Sequence, residues 1–117
     1  MSATVTLYRP VGQKEHDLIA ALDWRGFPPR LDWQPIFYPV LNEEYAVQIA
    51  RDWNTKDPAS DHVGYVTRFA VNAEFLKQYQ PQTVGSQVHR ELWIPAEDLD
   101  AFNANIIGQI EIIHLFR

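Results

Sequence analysis

The pattern of apolar and polar positions divides the chain into short strands and short helices in near alternation. Over residues 3–9, Ala3, Val5 and Leu7 share one parity and Thr4, Thr6 and Tyr8 the other, the signature of a strand with one covered face. Residues 12–22 have helical spacing, with Leu18, Ile19 and Leu22 expected on the core side and Gln13, Lys14 and Asp17 opposite. Residues 36–40 predict a short strand that stops at a proline. Asn42 then caps a helix ending near Asn54. Its Glu43 and Glu44 suit the positive end of the helix dipole, and Ala46, Ile49, Ala50 and Trp53 are expected to face the core. Residues 64–71 alternate again, with Tyr65, Thr67, Phe69 and Val71 on one face. Asn72 caps a short helix carrying Phe75, Leu76 and Tyr79. A brief strand is expected at residues 83–84 and a longer one over 88–94. Pro95 opens a last helix with Leu99 and Phe102 as core residues and Gly108 as its end. Residues 109–116 form a mostly apolar strand expected at the centre of the sheet.

Two loops interrupt this order. "DWRGFPPRLDWQP", residues 23–35, is long for a small domain, and its glycine and prolines forbid regular structure. Its Trp24, Phe27 and Trp33 alternate with Arg25 and Arg30, and they serve either to clamp the loop onto the core or to cover a site. "NTKDPASDHVG", residues 54–64, is polar and expected to tolerate change. The resulting order, β-α-β-α-β-α-(β)-β-α-β, has several connections too brief for regular crossovers. That predicts one α+β domain over residues 1–117 rather than a doubly wound parallel sheet.

Composition narrows the function classes. A net charge of −5 argues against sequence-independent nucleic-acid binding, although seven of the ten cations are Arg, the better fork for phosphate or carboxylate. With no cysteine, disulfides, thiolate catalysis and cysteine-ligated zinc are excluded. His16, His62, His89 and His114 lack metal-ligand spacing, so no metal site is expected. Ser2, Ser60 and Ser86 lack a G-x-S-x-G context, and no glycine-rich phosphate loop exists. The absence of an apolar stretch of spanning length and of a signal pattern at the N-terminus leads to the expectation of a soluble, cytoplasmic protein with no membrane partner. His114, inside an apolar strand, is expected as a hydrogen-bonded core residue.

Three positions stand out chemically. Arg9 falls on the apolar parity of the first strand, where its charge must reach solvent, a carboxylate or a ligand. Tyr38 shares parity with Ile36 and Val40, so it is either packing or the lining of a site at the strand's end. In "VHRELWI", Val88, Arg90, Leu92 and Ile94 share one face while His89, Glu91 and Trp93 share the other. A row of imidazole, carboxylate and indole can stabilise a cationic transition state, and it can equally be a solvent-facing strand surface.

The segments "TVTLYRPVG", "FPPRL…QPIFYPVLNEEYAVQIARDWN", "GYVTRFAV" and "ELWIPAEDLDAFN…IIGQIEII" together resemble a group of short, uncharacterised bacterial proteins known as "ADP-ribosylation/crystallin J1". That group is similar in fold to ADP-ribosyltransferases, which hold NAD in the cleft of a split β-sheet and break the bond between nicotinamide and ribose. The resemblance implies an ADP-ribosyltransferase-like split β-sheet with short flanking helices. It also implies that NAD, as substrate, is contacted by Arg9 on the first strand and stacked by Tyr38. Glu91 would be the catalytic carboxylate that offsets oxocarbenium-like charge, and His89 would stand at the first position of the family's Gln/Glu-x-Glu pattern. Trp93 and the loop from Trp24 to Trp33 would cover the cleft. The chain departs from the family in carrying "IFYP" where the arginine-modifying branch has Ser-Thr-Ser. The alternative is a non-catalytic binding or protein-interaction module that keeps the fold, with Arg9 paired to Glu91 or to another acid.

Overall fold

Two alternating segments and a mostly apolar third build the main sheet, and interruptions in the others leave shorter strands. The computed structural model describes residues 3–85 and 89–117. Its elements are β1 (Thr4–Val11), α1 (Gln13–Ala21), β2 (Ile36–Phe37), α2 (Glu43–Asp52), β3 (Gly64–Asn72), α3 (Ala73–Leu76), β4 (Gln82–Thr83), β5 (Arg90–Glu91), β6 (Ile94–Pro95), α4 (Leu99–Ala104) and β7 (Ile106–Phe116). The fold is α+β. An antiparallel sheet runs in the order β1-β3-β7, with β2-β6 and β4-β5 as antiparallel pairs. Among the described residues no helix is long and apolar enough to cross a membrane.

One residue joins the main sheet to the smaller pairs. Val40 forms isolated antiparallel bridges to Tyr8 of β1 and to Glu91 of β5. The bonds are Tyr8 N–H to Val40 O at 3.0 Å and Val40 N–H to Tyr8 O at 2.8 Å, flanked by Leu41 N–H to Arg90 O and Leu92 N–H to Pro39 O. Pro39 has no N–H to give, and the pairing with β1 does not spread beyond this bridge.

The sheet is packed on both faces. On one, Phe27, Phe37, Phe69 and Phe102, each at most 2% exposed, pack ring on ring with centroids 4.9 to 6.2 Å apart. Each such burial stabilises by roughly 1.5–3 kcal/mol, and tilted or edge-on ring pairs add about 0.5–1.5 kcal/mol. On the other face α2 lies against the sheet through Ala46, Ala50, Val40 and Val66. Small residues are needed there because the backbones nearly touch: a Cβ built on Gly64 would sit 2.2 Å from the carbonyl oxygen of Ala50. Asn42 caps α2 by accepting from Tyr45 N–H, and Asn72 caps α3 by accepting from Glu74 N–H.

Several expectations are corrected. The sheet's centre is β3, paired on both sides, whereas β7 is paired on one edge and has Ile110 as its buried residue. Gly108 does not end α4, which stops at Ala104. Gly108 instead lies within β7 at φ 78, where the register with β3 slips between Arg68 and Ala70, a left-handed backbone that glycine adopts without strain. In α1 only Ile19 is buried, and Leu18 and Leu22 are exposed. The helix instead turns Gln13 and His16 inward: Tyr65 O–H donates to Gln13 Oε1 at 2.8 Å, and the His16 ring stacks on Tyr65 at 4.1 Å. Trp53 is 72% exposed, because it caps the end of α2 rather than lying on its core face. The polar loop over 54–64 holds two 3₁₀ turns, and its Ser60 is buried against Gly12, bonded to Asp57 and Asn54. His114 is bonded to Glu43 at 2.8 Å but half-exposed, not a core residue. The strand expected over 88–94 is two short pieces, β5 and β6, and its first residue, Val88, lies outside the described residues.

Candidate functional site

Arg9 is next to Tyr8, Tyr38 is two residues before Val40, and Glu91 is opposite Val40. The double bridge at Val40 therefore gathers three segments that are far apart in sequence. Arg9, Tyr38, Glu91 and Trp93 line one open cleft of about 470 Å³, together with Pro10, Val40, Ile49 and Val84. Phe37 is buried beneath while Tyr38, on the opposite parity, is 41% exposed. That settles Tyr38 as a wall of the cleft rather than core.

The charge on Arg9 is largely committed. Its Nε and one terminal nitrogen donate to the two oxygens of Glu15 at 2.6 and 3.0 Å, and the other terminal nitrogen donates to the Tyr38 carbonyl at 3.3 Å. The guanidinium also lies 4.5 Å from the centre of the Phe37 ring, and its side chain is only 11% exposed. A guanidinium has five N–H donors, so one hydrogen remains on each terminal nitrogen after these bonds. A second guanidinium, Arg30, lies 5.8 Å from the same ring, and its buried Nε has no protein partner among the described residues. Burial, followed by the neighbouring charge of Arg9, lowers the pKa of Arg30.

Glu91 is held differently, by neutral donors. Tyr45 O–H donates to Oε2 at 2.9 Å and Trp93 Nε1–H donates to Oε1 at 2.8 Å. Burial, then the bond to Glu91 and its charge, push the Tyr45 hydroxyl up to about 12. The rings of Tyr38 and Trp93 stand 6.4 Å apart at 85°, two walls meeting nearly at a right angle beside the carboxylate.

His89 is not brought into the cleft lining. Its ring stacks on Tyr45 at 4.6 Å and its Nε2 lies 2.8 Å from Gln48 Oε1. The loop from Trp24 to Trp33 does not line the cleft either. Asn103 pins it to α4 through Phe27, and Phe27 enters the core while Trp33 stays exposed.

Three residues of this region escape sequence reasoning. Glu15 sits in the first turn of α1, six positions after Arg9. Tyr45 and Gln48 share with Ile49 a helical face adjoining the core face of α2, a spacing legible in "EEYAVQIARD" once the capping residue is fixed. No protein-family model matches the chain, and neither does any curated protein or solved structure.

Proposed function

We propose that the cleft binds NAD or a related nucleotide, in an ADP-ribosyltransferase-like arrangement. The observation that carries the reading is the convergence of Arg9, Tyr38, Glu91 and Trp93 on one open cleft. The residues fit such a ligand: the volume lies within the range of about 300–1,000 Å³ usual for small-molecule sites. Two aromatic walls offer stacking, and Arg9 keeps N–H donors for an oxyanion. The isolated bridge at Val40, beyond which pairing with β1 stops, supports the split-sheet expectation.

NAD bound as substrate would supply a labile bond between nicotinamide and ribose. In this reading the chain's own part is electrostatic. Glu91, oriented by Tyr45 and Trp93, offsets positive charge developing at the sugar, and Tyr38 stacks on the departing ring. The bond's electron pair leaves with nicotinamide. An acceptor hydroxyl, or water, bonds to the sugar carbon and releases its proton.

A second reading keeps the cleft as a binding site or protein-interaction module without transfer. It is favoured by the bidentate Arg9–Glu15 pair, which already answers the arginine's charge. Titration with NAD, followed by tryptophan fluorescence, separates them. Saturable binding weakened at least tenfold in Arg9→Ala, with nicotinamide release lost in Glu91→Gln, is the expected result. Binding without release leaves the second reading, and no saturable response in the wild-type chain refutes the nucleotide site.

A further inference from the structure

One partly buried arginine has no counter-charge. Arg9, Arg25, Arg51 and Arg68 each lie on a carboxylate, and Arg90 and Arg117 are exposed to water. Arg30, in the loop over 23–35, is half-buried, and among the described residues its guanidinium has neither a carboxylate nor a hydrogen-bond partner. It rests 5.8 Å from the centre of the Phe37 ring, on which Arg9 also rests at 4.5 Å. Two guanidiniums thus share one ring, while Glu15 is held by both its oxygens on Arg9. At Arg30 the repulsion of Arg9 outweighs the attraction of Glu15, and burial adds to the cost of the charge. Water can accept from an N–H but cannot cancel the charge, whereas an anion does both.

The shape of the group decides the class of anion. A guanidinium presents parallel N–H donors that match two oxygens of one phosphate or carboxylate, as Arg9 already does for Glu15. The Nε of Arg30 is sealed from water, so a ligand meets the head through its terminal nitrogens. We propose that Arg30 anchors an oxyanion site on the loop over 23–35, which takes the phosphate or carboxylate group of a small anionic ligand. Arg30 is not among the residues that line the cleft, and the site does not rest on the nucleotide reading.

The probes are inorganic phosphate and acetate, titrated near neutral pH and at constant ionic strength into the isotope-labelled full chain and followed by amide chemical shifts. Saturable binding is expected, with the shifts centred on Arg30 and its neighbours in the loop. Arg30→Gln should weaken it at least about tenfold, the scale of a charge-assisted hydrogen bond. Arg25→Gln, in the same loop but paired with Asp23 at the surface, removes the same net charge and should leave binding within about twofold. The anion should also raise the thermal midpoint of the wild type and not that of Arg30→Gln, because a ligand of the folded chain stabilises it by mass action. Whichever anion binds more tightly names the source, a phosphate ester or a carboxylate. No saturable response to either anion, shifts centred away from Arg30, or equal weakening in the two variants overturns the proposal. NAD, run alongside, keeps the two ideas apart. Saturable phosphate or acetate binding without NAD binding leaves the Arg30 site and sinks the nucleotide reading. NAD binding with no response to either anion does the reverse.

Discussion

Replacing Tyr45 by Phe removes one oxygen atom and tests how Glu91 is held. In the folded chain that oxygen donates to Glu91 Oε2 at 2.9 Å from a ring stacked on His89. A bond to a charged acceptor contributes about 1.5–3 kcal/mol, and at a partly exposed carboxylate water recovers part of it, leaving ~1 kcal/mol. Proton linkage gives the pH dependence. The hydroxyl's pKa rises from 10.0 to about 12 on folding. That rise is caused first by burial and then by the bond to Glu91 and its charge, and solvent screening at this partly exposed ring discounts it, so ionising the hydroxyl removes about as much stability as the bond contributes. The folded-state pKa is the higher one, so the stabilisation is complete below about pH 10 and is lost as pH climbs through about 12. Urea unfolding of the wild type and Tyr45→Phe at pH 8 should therefore show midpoints roughly 0.5 M apart, taking a slope of about 2 kcal/mol/M. The gap should close between pH 10 and 12. Equal midpoints at pH 8, or a gap that persists at pH 12, would refute the geometry by which Tyr45 orients Glu91. Tyr79, whose hydroxyl donates to Asp98 at 2.8 Å and is also pushed up to about 12, weakens both chains in the same window and cancels in the comparison.

Gly64→Ala should lower stability by about 3 kcal/mol, the upper part of the overpacking range, because the new Cβ meets the backbone of Ala50 rather than a yielding side chain. The thermal midpoint followed by circular dichroism should fall by roughly 10 °C, and a fall under about 3 °C would mean that α2 does not press on β3 as described. Asn103→Ala removes two bonds to Phe27, Nδ2–H to its carbonyl at 3.0 Å and Oδ1 from its N–H at 2.9 Å. At ~1 kcal/mol each, the loop over 23–35 should be cleaved at least about tenfold faster in limited proteolysis, with little change in the cleft. Unchanged cleavage would show that the loop is held by Phe27's burial alone.

Local pattern was enough to determine most elements. The alternation over 3–9 and 64–71 fixed two strands, and Asn42 and Asn72 marked helix starts that their side chains cap. Of the row His89, Glu91 and Trp93, the last two line the cleft with Arg9, as alternation along an extended segment allows, while His89 packs on Tyr45 and Gln48 instead. Pattern failed where neighbours override it. Leu18, Leu22 and Trp53 have helical spacing but no surface to cover them. Gln13 and His16, polar by type, turn inward because Tyr65 offers a ring and a hydroxyl. The β1-β3-β7 order likewise depends on pairings between residues from 35 (Val71 with Ile106) to 68 (Thr4 with Asn72) apart, which no short window of sequence contains. The cleft belongs wholly to this second class. Its charged groups meet where Val40 ties β1 to β5: Arg9 is answered locally by Glu15, six residues on, whereas only that tertiary contact brings Glu91, bonded to Tyr45 and Trp93, to the same cleft.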